Sequence, residues 1–145
     1  MGTELTLPED ELRSLLGEAK EVAVVGISSK PWRPSYGVAA YLQEHGYRIV
    51  PVNPNEEEVL GEPVYASLLD IPTDVRVDVV DVFRRAEHTP GVARDAVAIG
   101  ARVLWLQEGI VSEEAARIAS DGGLEVIMGV CIMKVRERLM AQGGS

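Results

Sequence analysis

The sequence predicts an α/β fold of three layers, in which a five-stranded parallel sheet carries helices on both faces. Three observations lead there. Five short runs rich in β-branched residues, at 21–27, 47–52, 77–83, 102–106 and 124–128, alternate with segments of helical periodicity. The links between those runs are too long for hairpins and suit the right-handed crossovers that parallel strands require. Gly46, Gly100 and Gly122-Gly123 stand where the intervening helices should stop. The expected spatial order is 3-2-1-4-5. The order then reverses between strands one and four, whose carboxyl ends flank a ligand crevice.

Taken along the chain, Pro8 suits a first helical position, and Leu12, Leu15 and Leu16 share one face of a short helix over 8–18. After strand one, a helix over 35–45 starts at a cap, Ser35, and sends Tyr36, Ala39, Ala40 and Leu42 towards the sheet. Strand two closes on Pro51-Val52-Asn53-Pro54, a stiff and non-helical exit. Residues 55–76 are the least regular, with a short helix expected near 66–70. Thr89-Pro90 opens a helix to about Ile99, Ser112-Glu113-Glu114 opens the next, and Gly129 leads into a last helix ending near Met140. Gln142–Ser145 is expected to fray. No linker or repeat divides the chain, so a single domain over 1–145 is expected.

The totals narrow the function. A net charge of −9 disfavours broad nucleic-acid binding, because a polyanion is repelled over most of the surface. One cysteine excludes an internal disulfide and a multi-thiolate metal site. No apolar run approaches a membrane span, and the N-terminus lacks the pattern of a signal peptide. The expectation is a cytoplasmic protein with no membrane partner and no metal. Met1–Thr6 matches a myristoylation pattern formally, but no basic patch follows to supply a second membrane signal.

The most informative stretch is Val22-Ala23-Val24-Val25-Gly26-Ile27-Ser28-Ser29-Lys30, continuing through Trp32-Arg33-Pro34-Ser35. A strand that empties into a helix start is a common phosphate site, because the helix dipole and free backbone N–H groups point at the anion. The dinucleotide fingerprint nevertheless fails. Ser28 and Pro31 stand where its second and third glycines belong, and no carboxylate ends strand two to hold a ribose. Four cations, Lys30, Arg33, Arg84 and Arg85, follow the ends of strands one and three. The helix after strand one has no acid in its first turns to offset its positive end. A phosphate-bearing small molecule is expected over that helix.

Five segments together carry a resemblance. Val24-Val25-Gly26-Ile27-Ser28, Pro51-Val52-Asn53-Pro54, Val80-Asp81-Val82-Phe83-Arg84, Trp105-Leu106-Gln107-Glu108-Gly109-Ile110 and Met128-Gly129-Val130-Cys131-Ile132 occur in order at five sheet-edge positions. Over residues 14–140 the chain resembles the small bacterial CoA-binding proteins, which are similar to the nucleotide-binding domain of the succinyl-CoA synthetase α subunit. The resemblance implies a Rossmann-like domain that binds coenzyme A. Carried over by position, Gly26, Ser28, Ser29 and Lys30 form the first contact segment, Val52 and Asn53 the second, and Leu106, Gln107 and Glu108 the third, beside the pantetheine arm. Phe83 closes strand three on the same edge. Arg33, Arg84 and Arg85 are assigned to the phosphates from charge and position.

The synthetase's phosphorylated histidine belongs to a second domain with no counterpart in these residues. His45 and His88 match nothing catalytic, and no nucleophile–base pair is evident. The expected activity is therefore non-enzymatic binding of CoA or an acyl-CoA. The alternatives are an orphan subunit of an acyl-CoA ligase, an NAD(P)-binding oxidoreductase and a CoA-sensing regulatory module; a protein partner is left open. Cys131, at the start of the last helix near the expected end of pantetheine, reads better as a packed apolar residue than as a reactive thiol. Trp105 reads as core. Trp32 is a candidate cover for the adenine or ribose. Asp78 and Asp81 fall on opposite faces of one strand and cannot work as a pair.

Overall fold

Strands covered on both faces need apolar residues at successive positions, and five segments of this chain supply them. These are β1 (Glu21–Val25), β2 (Arg48–Val52), β5 (Val79–Val82), β6 (Val103–Leu106) and β7 (Glu125–Met128). The structure, a computed structural model, describes residues 7–143. A small hairpin, β3 (Glu58–Val59) with β4 (Glu62–Pro63), stands apart from the main sheet. The helices are α1 (Glu9–Glu18), α2 (Pro34–Glu44), α3 (Thr89–Ala98), α4 (Glu113–Asp121) and α5 (Ile132–Gly143). Helix α5 takes in Gln142 and Gly143, so those two residues of the expected frayed tail are helical. Gly144, Ser145 and the Met1–Thr6 pattern lie outside the described residues.

The main sheet is wholly parallel, in the order β2-β1-β5-β6-β7. Numbered as the five predicted strands, this is 2-1-3-4-5, and the expected 3-2-1-4-5 is incorrect. The reason lies in residues 53–78. Three buried side chains of that link, Leu68, Ile71 and Val77, pack with α3 and α4 on the face opposite α2, while Val59 of the small hairpin packs in the α2 layer. A right-handed connection on that opposite face carries the chain back over β1 instead of beyond β2. The reversal therefore falls between β1 and β5, and the end of β5, not that of β6, stands beside Gly26.

Alternation along each strand sorts the two apolar layers. Val22, Val24, Ile49, Val79, Val103, Trp105 and Ile127 face α1, α2 and α5. Ala23, Val25, Val50, Val52, Val80, Val82, Leu104, Leu106 and Val126 face α3 and α4. Helix α2 packs through Val38, Ala39 and Leu42, with Tyr36 and Ala40 only half-buried. The short helix expected near 66–70 is a single 3₁₀ turn, Leu68–Asp70. Asp78 has a structural role: its Oδ2 accepts the N–H groups of Lys20 (2.9 Å) and Glu21 (3.0 Å) where β1 begins.

A polar tie joins the three helices of the first layer. The buried Tyr47 hydroxyl donates to the Leu16 carbonyl and accepts from Arg136 Nε (3.0 Å), while Arg136 Nη1 donates to the Tyr41 hydroxyl (3.1 Å). Tyr47→Phe strands the Leu16 carbonyl and one guanidinium donor. Urea denaturation should show a loss of about 1–2 kcal/mol for this variant; an unchanged midpoint would mean that water replaces the hydroxyl without cost.

Candidate functional site

The carboxyl edge of the sheet opens where β1 leaves it. Gly26 has φ +85°, and its N–H donates to the Val52 carbonyl (2.8 Å). A Cβ at this position would lie 2.7 Å from the Phe83 carbonyl oxygen and 3.0 Å from Arg84 Cδ. Only glycine lets the exits of β1 and β5 approach this closely. The loop beyond is folded by its own hydroxyls. The Ser28 N–H donates to Ser35 Oγ (3.0 Å), and the Lys30 N–H donates to Ser28 Oγ (3.1 Å).

Helix α2 begins one residue before the position expected from sequence. Arg33 is its cap residue, Pro34 takes the first position and Ser35 sits within the first turn, where its hydroxyl reaches back to the loop. The first turn contains no acid. Its partial positive charge is thus left for a ligand, and Lys30 and Arg33 add to it.

These residues line a cleft of about 380 Å³ formed by Gly26, Ser28, Lys30, Arg33, Asn53 and Phe83, with Pro34, Ser35 and Glu56. It shares Gly26 and Asn53 with a hollow of about 200 Å³ bounded by Pro54, Asn55 and Arg84. That hollow in turn shares Pro54 and Arg84 with an apolar recess between Val25, Val52, Leu68 and Val92, edged by Ser67 and Asp95. The three run into one another over the crest of β2, β1 and β5. Lys30, Arg33 and Arg84 are therefore gathered on one rim. Arg85 is not: it is exposed at the start of the turn before α3 and lines none of these hollows.

Asn53 is engaged within the protein. Its Nδ2 donates to the Ile27 carbonyl and its Oδ1 accepts from the Asn55 N–H, both at 2.8 Å. The Val52 side chain belongs to the core, and its carbonyl is taken by Gly26. The Ser29 N–H donates to Glu56 Oε2 (2.9 Å). This contact, helped by Lys30, holds the Glu56 carboxyl below the ordinary carboxylate pKa. Sequence reasoning missed Glu56, because it searched for an acid at the end of strand two and found none.

The third predicted segment lies two strands from β1. Leu106 is fully buried against α3 and α4 and its carbonyl accepts the Gly129 N–H (2.9 Å), so it offers no free surface to a ligand. Gln107 is buried and its Oε1 accepts the Ile132 N–H (3.1 Å), capping α5. Glu108 pairs with Lys134 (3.1 Å), which raises the lysine's pKa. Cys131 is buried and, with Glu108, Lys134, Val135 and Arg138, lines a separate groove of about 470 Å³. Trp105 is core, its indole N–H donating to the Val130 carbonyl (2.9 Å). Trp32, by contrast, is 75% exposed beside Lys30. Among the described residues no cluster of three or more His, Cys, Asp or Glu side chains is arranged to hold a metal, and no helix is long and apolar enough to cross a membrane.

Comparison with known proteins places the chain in a family. The family model described as a CoA binding domain matches residues 20–137. The uncharacterized protein YneT of Bacillus subtilis (strain 168) is 43% identical over 122 residues, covering 84% of this chain and 89% of that protein. The acetate–CoA ligase (ADP-forming) II of Archaeoglobus fulgidus is 32% identical over 114 residues, which is 77% of this chain but only 16% of the ligase. Among solved structures, a hypothetical protein from Pyrococcus horikoshii OT3 superposes with a TM-score of 0.89 at 40% identity, covering 93% of this chain and 94% of that one. A Thermus thermophilus protein superposes with a TM-score of 0.87 at 37% identity, over 92% and 99% of the two chains. With a Rossmann-like sheet and a family match over most of its length, the chain belongs to the CoA binding domain family, related to the ADP-forming acetate–CoA ligases.

Proposed function

We propose that this protein binds coenzyme A, or an acyl-CoA, at the carboxyl edge of its sheet and does so without catalysis of its own. The observation that carries the reading is the cleft at Gly26–Arg33, where an uncompensated helix start meets Lys30 and Arg33 on an otherwise acidic molecule. The diphosphate lies over the loop Gly26, Ser28, Ser29 and Lys30. Arg84 serves the remaining phosphate or the ribose. Pantetheine then follows the edge past Phe83 towards Gln107, Glu108 and the groove beside Cys131.

Isothermal titration with coenzyme A, NAD and ATP tests this. Coenzyme A should bind most tightly, at one site per chain; tighter binding of NAD overturns the reading. Lys30→Glu and Arg84→Glu should each weaken coenzyme A by roughly tenfold or more. Each should also flatten the salt dependence of binding, because one screened attraction is lost. Unchanged affinity in both variants removes the two cations from the site.

The likeness to an ADP-forming ligase favours a second reading, in which the chain holds CoA for a catalytic partner. Turnover of acetyl-CoA with ADP, phosphate and Mg²⁺ by the protein alone would contradict the non-catalytic reading. Turnover only after addition of a second protein would establish the assembly.

A further inference from the structure

Glu56 has no place in the scheme above, yet its position is tightly determined. Beyond β2 the chain turns on Asn53, whose carbonyl accepts the Glu56 N–H (3.3 Å) and whose Oδ1 accepts the Asn55 N–H (2.8 Å). The Asn53 Nδ2 then fastens this turn to the Ile27 carbonyl in the loop after β1 (2.8 Å). These bonds bring the Glu56 carboxylate onto the Ser29 N–H at 2.9 Å. Glu56 is half-buried and is the one acid among the described residues lining the cleft at Gly26–Arg33, which Lys30 and Arg33 also line.

A carboxylate oxygen on a backbone N–H, beside a lysine and an open helix start, makes the contact that a phosphate oxygen makes. The two cannot share one N–H. Two anions a few ångströms apart at one seat also repel, and in a cleft open to water that repulsion weakens as salt rises. Asn55 and Pro54 are both exposed, and the Glu56–Ser29 bond itself faces solvent.

We propose that Glu56 is a built-in competitor for the phosphate seat: its carboxylate holds the Ser29 N–H in the free protein and gives it up when a ligand phosphate arrives. The identity of that phosphate as part of coenzyme A rests on the reading above; the existence of the seat does not. Displacing Glu56 imposes one fixed cost on every ligand that uses this donor. A lone phosphate, with few other contacts, then falls below useful affinity. A ligand with several phosphates and an extended arm keeps enough contacts to bind.

The test uses Glu56→Gln, which keeps an acceptor oxygen for Ser29 but removes the charge, and Glu56→Ala. Glu57→Gln, at an exposed neighbour that does not line the cleft, controls for net charge. Calorimetric titrations with coenzyme A and with inorganic diphosphate are compared for all four proteins. The proposal expects both Glu56 variants to bind the two probes roughly tenfold tighter than the unmodified protein, with Glu57→Gln unchanged. If coenzyme A binds the unmodified protein but neither Glu56 variant binds it more tightly, the competitor is overturned and the CoA reading stands. If coenzyme A binds nothing while diphosphate gains affinity in the Glu56 variants, the CoA reading falls and the competitor is supported. If neither probe binds any of the four proteins, both ideas fall.

Discussion

Replacing Gly26 by alanine is expected to cost about 2–4 kcal/mol of folding stability and to abolish measurable binding of coenzyme A. Two terms add. An L-residue at φ +85° is strained by about 1–2 kcal/mol. In addition, the new methyl would stand 2.7 Å from the Phe83 carbonyl oxygen, a backbone atom that no rotamer change can move aside. Both backbones are fixed, since Gly26 donates to Val52 and Phe83 donates to Val25, each at 2.8 Å. Relief requires the loop to shift as a body, taking Ser28 and Lys30 with it. Gly46→Ala supplies the comparison. Gly46 has φ +93° but open space around the position of a Cβ, so it carries the conformational term alone, about 1–2 kcal/mol. Urea denaturation of the two variants separates strain from collision. Equal losses, or retained CoA binding by Gly26→Ala, would show that the close approach of β1 and β5 is unimportant.

The second large effect should be a gain. Asp81 lies in the centre of the sheet, paired in register with Val24 and Trp105, fully buried, and among the described residues neither of its carboxylate oxygens has a hydrogen-bond partner. Burial alone drives its pKa well above the ordinary value of 3.8. In the unfolded chain the group ionises near that ordinary value, whereas the folded protein keeps the proton to higher pH. Between the two pKa values the native state binds more protons, so Asp81 makes stability fall as pH rises through that window. Above the folded pKa the full penalty remains. Asp81→Val, which suits a strand and fills the site with apolar atoms, should raise stability at neutral pH by about 1–3 kcal/mol. Its advantage should shrink towards acid pH. Denaturation curves at several pH values check this, and a variant less stable than the parent at every pH would mean that Asp81 has a favourable partner.

The five strands were legible because a sheet covered on both faces demands β-branched runs, and those runs stand out between Gly-terminated helices. Their order was not legible. It depends on which face the link 53–78 covers, and that choice rests on only a few apolar residues, Leu68, Ile71 and Val77, within an otherwise irregular segment. The hairpin Glu58–Pro63 was equally hidden. Its turn puts Leu60 at φ 54° and Gly61 at φ 80°, and a leucine gives no sign of a left-handed conformation.

The candidate site divides in the same way. Gly26, Ser28, Lys30, Arg33 and Asn53 could be placed on one edge because each follows the end of a strand. Arg85 passed the same criterion, but the 3₁₀ turn over Ala86–His88 begins immediately after it and it lines none of the hollows at the crest. Glu56 within Glu56-Glu57-Glu58 reads as a solvated acidic run. What brings it into the cleft is the Asn53–Ile27 bond, a contact between residues 26 positions apart. Gln107 was found by position, yet its amide serves as a cap for α5, a use visible only once β6 and α5 are adjacent.

The proposed function requires a sugar-phosphate ligand to seat on the loop after β1. Titration of isotope-labelled protein with coenzyme A, followed through backbone amide signals, addresses it directly. The account predicts saturable shifts at Ser28, Ser29, Lys30 and Asn53, with Lys20 and Asp78 at the opposite edge of the sheet undisturbed. Saturable shifts centred on that opposite edge, or none at Ser28–Lys30, would contradict it.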